Sequence, residues 1–600
     1  MDHHCRQSDS SDDSGTSDNS SDLPPSFNCD RNRPEETRSS HDAELLKPGP
    51  PAIYCLNTER KYINGIDRKV RQWTYGRRDR NKQNKVILMV GETGTGKTTI
   101  INTMINYLLG VKFEDQEFYQ ITDEEEHKDQ TQSQTSAVTV YEVFVEKNPI
   151  SLTIIDTPGY GDAEGYEKDR EISEYLSRLF SDEDGIHYID AVCFVMKASQ
   201  NRLSGKELYI FHSVLSLFGR DIENNIVFLL THSDGIPPTD ALNAIKKAEI
   251  PCRRDEDNEP VYFPFNNQQK TKRDKRFKRA LKASWEMGEE SMTDFLTLLE
   301  EKNRKSVQMT LDVLKERRRL EACVSNLMGR INEKDLKLKE LDQIQEALEQ
   351  NRDKIERCEK FQFTVTKSYK EKVPIVNEWL WNSKATCCSV CEENCHEWEC
   401  SVASTPWWCW VMKNEHCTVC TRKCHYSKHV KESKKYVMKS KDVIMTFDDL
   451  KKQYECSSDQ KITKFDKHEY EKYKKELEGN KKESEKQTTM KEKLSSDVER
   501  ITNEKSKLLH EAYVTIMSLS KIALKSDSAL TLRHLDFLIP RLKEEGKDEW
   551  IKNLEDLKKT GEEQKNKGTL EQVFCFFQSF GKKYCNQNES TEQMLFHHRK

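Results

Sequence analysis

Short apolar runs alternate with segments of helical spacing between about residues 85 and 300. The runs KVILMVG, YEVFVEK, SLTIIDTPG, DAVCFVMKA and NNIVFLLTHSD are rich in β-branched residues and predict buried strands. The segments DREISEYLSRLF and GKELYIFHSVLSLFG lie between them and repeat their apolar positions with the period of an α-helix. Strands that alternate with helices form mostly parallel sheets with helices on both faces. The pattern therefore predicts an α/β domain over residues 84–302.

Two later segments have the pattern of long helices. Residues 303–365 are highly charged and place seven apolar residues in one heptad register, which favours a coiled coil. These residues are Val324, Leu327, Ile331, Leu338, Leu341, Leu348 and Ile355. The alternative is a single long helix folded onto its own domain. Residues 433–510 predict a second helical or coiled-coil segment, and residues 511–566 predict a helical C-terminal unit.

Amino-acid composition indicates which parts of the chain are tails or linkers. Of the 600 residues, 33% are charged and only 35% are hydrophobic, so the whole chain cannot form one compact globule. Residues 1–52 predict a disordered, acidic, Ser-rich tail, and residues 567–600 predict a flexible tail. Residues 53–83 are predicted to be a basic linker, and residues 366–384 a second linker.

Charge and cysteine usage narrow the class of protein. The formal net charge is -6, so no overall positive field predicts a nucleic-acid partner. No apolar run reaches the roughly 18 residues of a transmembrane helix, and the N-terminus MDHHCRQSDSSDDSG lacks the apolar segment of a signal peptide. Nine of the nineteen cysteines fall between Cys387 and Cys424, unlike the spread framework of a small secreted domain. We therefore expect a reducing, cytoplasmic location.

The segment GETGTGKT follows a predicted strand and opens a predicted helix, which is the context that a P-loop requires. Its glycines allow successive backbone N–H groups to point at phosphates, and the helix N-terminus adds a positive end. Lys97 would neutralise the β- and γ-phosphate oxygens, and the hydroxyl of Thr98 would bind Mg²⁺. The residues predicted to bind the nucleotide here are Gly91, Glu92, Thr93, Gly94, Thr95, Gly96, Lys97, Thr98 and Thr99.

A second phosphate motif, DTPG, ends the predicted strand SLTIID. Asp156 could hold Mg²⁺ through a water molecule, and the N–H of Gly159 could reach the γ-phosphate. A residue between the two motifs should complete the Mg²⁺ shell in the triphosphate state and order its loop. Thr135 is the preferred candidate, ahead of Ser136 and Thr139. The alternative is that all three are ordinary residues at a strand edge.

The base site is predicted from the segment after the strand NNIVFLL. Thr231, His232 and Asp234 follow this strand, and a carboxylate there could accept hydrogen bonds from both N1–H and the 2-amino group of guanine. Adenine lacks this pair of donors. Asn266 and Asn267 end the last predicted strand, where a polar side chain could contact the base. These residues predict GTP or GDP with Mg²⁺ as the bound cofactors.

The motifs resemble those of two related groups of G proteins. GETGTGKTTIINTMI and DTPGYGD resemble the septins closely, whereas THSD and FNN are similar to the GTPases of the immunity-associated family. The resemblance covers roughly residues 84–300, about a third of the chain. It implies a G-domain fold, a GTPase activity, and pairing of two G domains across the nucleotide face.

Two positions depart from the general pattern of such proteins. His232 and Ser233 stand where a Lys precedes the base-reading Asp, and Tyr160 follows Gly159 where small signalling GTPases have a water-orienting Gln. These departures predict hydrolysis that is slow or that depends on a partner. His232 is a candidate for a group supplied in trans, and the alternative is that it only packs on the base.

The cysteine-rich segment contains an internal repeat of the form C-x2-C-x3-C-H-x3-C/H. Thiolates at this spacing suit Zn²⁺, which prefers four tetrahedral N or S donors. The predicted ligands of two structural zinc ions in residues 385–432 are Cys388, Cys391, Cys395, Cys400, Cys417, Cys420, Cys424 and His429. The spacing leaves open whether each half closes its own site or the halves exchange ligands. A catalytic zinc and disulfides are the alternatives.

The sequence thus predicts a GTP-binding protein with slow hydrolysis that acts as a nucleotide-controlled assembly switch. Lys97, Thr135 and Gly159 would stabilise the transition state of water attack on the γ-phosphate. The chain would associate with itself through the G domain and the coiled coils, and would bind an unknown protein partner. The alternative is a scaffold that keeps GTP bound without hydrolysing it and recognises proteins through its coiled coils and zinc segment.

Overall fold

The computed structural model describes most of the chain. The described residues are 41–63, 69–122, 137–160, 166–301, 303–356, 360–375, 384–397, 405–409, 411–446, 448–449, 470–525 and 529–566. They form a sheet domain, a group of packed helices, and a long hairpin that carries the cysteine-rich segment. None of the helices in these ranges is both long and apolar enough to cross a membrane.

The N-terminal half is built on a sheet of eight strands. The strands of this half are β1 (Ala43–Lys47), β2 (Ala52–Leu56), β3 (Glu59–Tyr62), β4 (Val70–Tyr75), β5 (Gln83–Gly91), β6 (Glu117–Gln120), β7 (Val138–Val143), β8 (Ile150–Asp156), β9 (Tyr188–Ile189), β10 (Ala191–Lys197), β11 (Ile226–Thr231), β12 (Tyr262–Pro264) and β13 (Lys305–Ser306). The large sheet has the order β12-β11-β10-β5-β8-β7-β4-β3. From β12 to β8 all neighbours are parallel, and β7 is antiparallel to β8. The predicted mostly parallel sheet is confirmed.

Helices cover both faces of this sheet, which is why its central strands are apolar over their whole length. The helices are α1 (Lys97–Leu109), α2 (Tyr166–Ser181), α3 (Gly205–Leu215), α4 (Thr239–Lys247) and α5 (Lys278–Glu300). Side chains of α1 and α5 form one core with the sheet, and side chains of α2, α3 and α4 form the other. The loops that follow the carboxyl ends of β5, β8, β11 and β12 thus meet at one edge of a rigid layer.

The segment predicted to be a basic linker contains strands. β2 pairs with β1 and with β6 in a small three-stranded sheet, whereas β3 and β4 extend the edge of the large sheet. Basic residues can belong to these strands because strands at the edge of a sheet remain partly exposed. Arg60 of β3, for example, places its guanidinium 4.3 Å from the ring centre of buried Trp73 of β4. The large sheet therefore includes strands that precede residue 84.

The helices of the C-terminal half pack within the chain. They are α6 (Gln308–Gln350), α7 (Arg352–Glu356), α8 (Tyr470–Ile522), α9 (Ala529–Glu544) and α10 (Asp548–Asn566). The heptad residues Val324 and Leu327 lie in one buried cluster with residues of α8, α9 and α10. α6 and α8 are antiparallel, as the contacts of Cys323 with Glu511 and of Arg330 with Glu504 require. The arrangement is that of the alternative, a long helix folded onto its own chain.

A long antiparallel hairpin connects α7 to the cysteine-rich segment. The remaining strands are β14 (Gln362–Pro374), β15 (Ala385–Cys388), β16 (Glu393–His396), β17 (Met412–Lys413), β18 (His416–Cys417), β19 (His429–Glu432) and β20 (Lys434–Thr446). β14 pairs with β20 from Gln362–Thr446 to Pro374–Lys434. A linker was predicted where β14 ends, and a helix where β20 lies, so the structure differs from both predictions. The hairpin brings the two ends of the cysteine-rich segment together.

Candidate nucleotide site and metal centre

The P-loop follows directly from β5 and leads into α1. Gly91 has φ 152°, and a Cβ at this position would lie 2.4 Å from the carbonyl oxygen of Val195, so only glycine fits. Gly96 has φ 94° and caps the start of α1. The first N–H groups of α1 therefore lie at the loop, where an anion can accept hydrogen bonds from them. This backbone geometry is compatible with the predicted phosphate cradle.

Lys97 is buried and its ammonium donates hydrogen bonds to the carbonyl oxygens of Gly91 and Glu92, at 3.0 and 3.1 Å. Burial lowers the pKa of Lys97 to about 8, although the charges of Asp156 and Glu92 act in the opposite direction. The side chain is thus folded back over the loop that it would share with a phosphate. Burial separates the ammonium of Lys97 from water, which disfavours its charge. A bound phosphate would place a negative charge beside it and stabilise the charged form.

Asp156 ends β8 and is 1% exposed. Its Oδ1 has no hydrogen-bond partner within the described residues. Burial raises the pKa of Asp156 to about 7, against the opposing effects of Lys97 and the N–H of Thr157. A buried, unpartnered carboxylate oxygen near the P-loop lysine is costly unless a cation or its water ligands meet it. The residues present therefore fit a nucleotide phosphate with Mg²⁺.

The loop after Asp156 touches the P-loop. A Cβ on Gly159 would lie 2.1 Å from the hydroxyl of Thr93 and 2.7 Å from its Cα. The N–H of Tyr160 donates to the carbonyl of Gly91 at 3.2 Å. Only glycine allows this approach, so the two predicted phosphate loops form one surface.

The residues expected near the γ-phosphate occupy different places. Thr135 and Ser136 lie outside the described residues. Thr139 is a buried residue of β7 and pairs with Asp156 of β8. Tyr160 is 1% exposed and belongs to the core on the side of α2. The side chain of Tyr160 therefore lies in the core and not at the solvent-exposed surface.

The predicted base loop is fixed to the P-loop by Thr231. Its hydroxyl contacts the carbonyl oxygen of Thr95 at 2.8 Å, which holds the end of β11 beside the start of α1. His232 follows with φ 55° and is exposed. Asp234 is also exposed, and its Oδ1 accepts a hydrogen bond from the N–H of Ile236 at 3.2 Å. This bond orients the carboxylate at the surface of the loop.

The end of β12 lies beside this loop, since the N–H of Ser233 donates to the carbonyl of Phe265 at 3.0 Å. This places Asn266 near the predicted base site. The side chain of Asn267 instead accepts a hydrogen bond from the hydroxyl of Thr103 at 3.2 Å. Asn267 therefore fastens the loop to α1, a role that the sequence did not indicate.

The cysteine-rich segment brings its donors together in two groups that cross the repeat. One group is Cys388, Cys391, Cys420 and Cys424, and the other is Cys395, Cys417, Cys420 and His429. Ligand atoms within each group lie within 4.8 Å of one another. Ligands from both halves of the repeat thus contribute to each group, and Cys420 belongs to both. Cys400 lies outside the described residues.

Two other cysteines of the segment have their own contacts. The thiol of Cys387 donates to the side-chain oxygen of Asn394 at 3.4 Å, and Cys409 contacts Nδ1 of His396 at 3.4 Å. Neither cysteine belongs to the two groups of donors. None of the cysteines that the structure describes forms a disulfide.

The fold and the two phosphate loops define a P-loop G domain. Residues 85–305 match the model of the AIG1 family, so this part of the chain is an AIG1 family domain, of the immunity-associated GTPase type. No curated protein matches the chain.

Solved structures also resemble the chain over part of its length. Toc33 from Arabidopsis thaliana in complex with GDP and Mg²⁺ is 14% identical; the match covers 38% of this chain and 87% of that chain, with a TM-score of 0.27. The elongation factor SelB from Methanococcus maripaludis, with the GTP analogue GppNHp, is 12% identical over 37% of this chain and 35% of that chain, with a TM-score of 0.21.

Proposed function

We propose that the chain binds GTP with Mg²⁺ and hydrolyses it slowly in the cytoplasm, and that the nucleotide controls self-association. The observation that carries the nucleotide assignment is the pair of Asp156 and Lys97. Both side chains are buried at the P-loop, and Oδ1 of Asp156 lacks a partner within the described residues. A phosphate beside Lys97 and a dication beside Asp156 would give both groups a charged partner. When bound, Mg²⁺ would neutralise charge on the phosphate oxygens.

The chain's own residues have distinct roles in this proposal. Lys97 and the N–H groups at the start of α1 stabilise the negative charge that develops as water attacks the γ-phosphate. Thr98 and Thr135 are proposed Mg²⁺ ligands, and the N–H of Gly159 is proposed to bind the γ-phosphate. Asp234 is proposed to read guanine, because its exposed carboxylate lies on the loop that Thr231 fixes to the P-loop.

Slow hydrolysis is proposed because the residue at the usual water-orienting position is buried in the core. Tyr160 occupies that position and is 1% exposed. His232 is exposed on the rim of the proposed base site, where a second G domain could meet it. We therefore propose that two chains pair across the nucleotide face and that His232 acts from one chain on the nucleotide of the other.

Contacts between the G domain and the helices support a link from nucleotide to assembly. α2 follows the loop of Gly159, and its Glu174 forms an ion pair with Arg318 of α6. The guanidinium of the neighbouring Arg317 donates to the carbonyl of Ser216 at 2.7 Å. A shift of α2 on nucleotide exchange would therefore act directly on the long helix that joins the G domain to the rest of the chain.

The test is single-turnover GTP hydrolysis by the full chain over a roughly hundredfold range of protein concentration. The rate per molecule should rise with concentration for wild type and stay low for His232→Ala, while both proteins bind GTP equally. A rate that is measurable but independent of concentration would contradict pairing.

The position of Tyr160 also favours a second candidate function, a scaffold that keeps GTP without hydrolysing it. In that case GTP would remain intact at every protein concentration, and it would co-purify with the chain. The same assay therefore separates the two functions.

A further inference from the structure

We infer that the cysteine-rich segment holds two zinc ions in one cluster, with the Sγ atom of Cys420 bridging both metals. The two groups of donors contain four ligand atoms each but only seven different residues, because Cys420 is common to both. Structural zinc takes four ligands. Two tetrahedral sites can therefore close on these seven residues only if one thiolate serves both ions. This inference is independent of the proposed GTPase function.

The spacing of the sulfur atoms suits a common metal. Sγ of Cys391 lies 3.8 Å from Sγ of Cys424. A tetrahedron with zinc–sulfur bonds of about 2.3 Å has an edge of about 3.8 Å between its sulfur atoms. A disulfide would require about 2.05 Å. The distance is therefore that of two thiolates on one ion rather than that of an oxidised pair.

Backbone N–H groups point at the sulfur atoms of both groups. The N–H of Cys391 donates to Sγ of Cys388 at 3.3 Å, and the N–H of Cys420 donates to Sγ of Cys417 at 3.3 Å. Sγ of Cys420 itself accepts from the N–H of Cys424 at 3.2 Å. Such donors stabilise thiolates, which are the form of cysteine that binds metal.

His429 gives an independent indication of a metal. The residue is 5% exposed, and its Nε2 has no hydrogen-bond partner within the described part of the chain. Its Nδ1 lies 3.1 Å from the carbonyl oxygen of His425, to which it can donate. Histidine ligands of zinc commonly donate their second N–H to a carbonyl, which aims the other nitrogen at the metal. Nε2 of His429 is therefore the seventh ligand atom.

The cluster is placed to join the hairpin to the long helices. Glu393, close to Cys395, receives a hydrogen bond from Arg330 of α6 at 2.7 Å. Lys423, next to Cys424, forms an ion pair with Glu511 of α8 at 2.6 Å. Folding of the segment around metal therefore positions one residue for each of the two antiparallel helices.

Native mass spectrometry of the full chain tests the ligand set. Wild type should carry two zinc ions. Cys400→Ser, which removes the competing donor of the sequence repeat, should also carry two. Cys420→Ser should lose both ions at a chelator concentration that leaves wild type loaded, because each ion loses a ligand. Loss of zinc from Cys400→Ser with retention of two ions in Cys420→Ser would overturn the inference.

Cadmium NMR on the wild-type chain tests the bridge without a variant that has to fold. After zinc is replaced by cadmium, two resonances should appear that are coupled to each other through the shared sulfur. Two uncoupled resonances would mean two separate sites, and a single resonance would mean one metal. Either result would contradict the bridged cluster.

Discussion

Two regions of the molecule build a ligand site in different ways. In the G domain the loops sit on a sheet whose strands bury Ile87, Leu88 and Phe228 almost completely. In the cysteine-rich segment the buried cluster consists mostly of the proposed metal ligands. Its members are Cys388, Cys391, Cys395, Cys409, Val411, Cys417, Val419 and Cys420. We therefore expect the G domain to fold before it binds a nucleotide, and the segment to fold only around its proposed metal.

Metal removal should produce the largest difference between the two regions. A structural zinc contributes on the order of 10 kcal/mol to the folding of a small module, far more than the two valines of the buried cluster could replace. A strong chelator should therefore unfold residues 387–430 and leave nucleotide binding by the G domain intact. Hydrogen exchange of both regions, with nucleotide binding measured in the same sample, checks this. An unchanged segment in a preparation shown to be free of metal would refute it.

Lys97→Ala should abolish nucleotide binding without unfolding the sheet. The P-loop loses its only side-chain cation, although the change also removes the hydrogen bonds to Gly91 and Glu92. Nucleotide affinity is measured by titration, and folding by circular dichroism. Lys282→Ala, on the exposed face of α5, is the matched control and should bind as wild type does. Co-purification of nucleotide with the Lys97 variant would mean that the phosphates bind elsewhere.

Asp234→Asn should change the choice of base. Each hydrogen bond to a charged acceptor is worth about 1.5–3 kcal/mol. The amide keeps one acceptor oxygen, so the loss of the other bond should weaken GTP binding by about tenfold to 150-fold. The amide donates where the carboxylate accepted, which suits the carbonyl at position 2 of xanthine. Competition binding should show a gain for xanthosine triphosphate. Asp240→Asn, on nearby α4, should leave the preference for GTP unchanged.

Glu174→Gln should have the smallest of these effects. The change removes the charge that Arg318 of α6 meets, and a hydrogen bond to a charged group contributes about 1.5–3 kcal/mol. The neutral amide can still accept a hydrogen bond from Arg318, so the free energy of unfolding in urea should fall by about 1 kcal/mol. Glu171→Gln, which alters a contact with Tyr175 inside α2, is the control. Equal losses in both variants would mean that the contact between α2 and α6 adds nothing.

The two regions also differ in how far the sequence could predict them. The phosphate loops are made of consecutive residues, because each loop follows one strand and starts one helix, so Gly91, Lys97 and Asp156 were identifiable from local pattern. The local pattern predicted that Asn267 contacts the base. It could not show that the side chain of Asn267 accepts a hydrogen bond from Thr103. That contact joins segments far apart in the sequence.

The metal ligands were identifiable by residue type but not by pairing. β14 and β20 bring the ends of the segment together, and both strands are rich in lysine, which hides their alternation. The sequence thus did not indicate that Cys395 shares a donor group with Cys417 and not with Cys388. The heptads of α6 were ambiguous for a related reason: a buried stripe has the same period whether the partner is α8 of the same chain or a second chain.

The most direct test of the central claim is the nucleotide content of the purified full chain, measured by chromatography after denaturation. We expect a guanine nucleotide that is retained after zinc is removed and is absent from Lys97→Ala. Adenine nucleotide in the wild type, or a guanine nucleotide that leaves together with zinc, would contradict it.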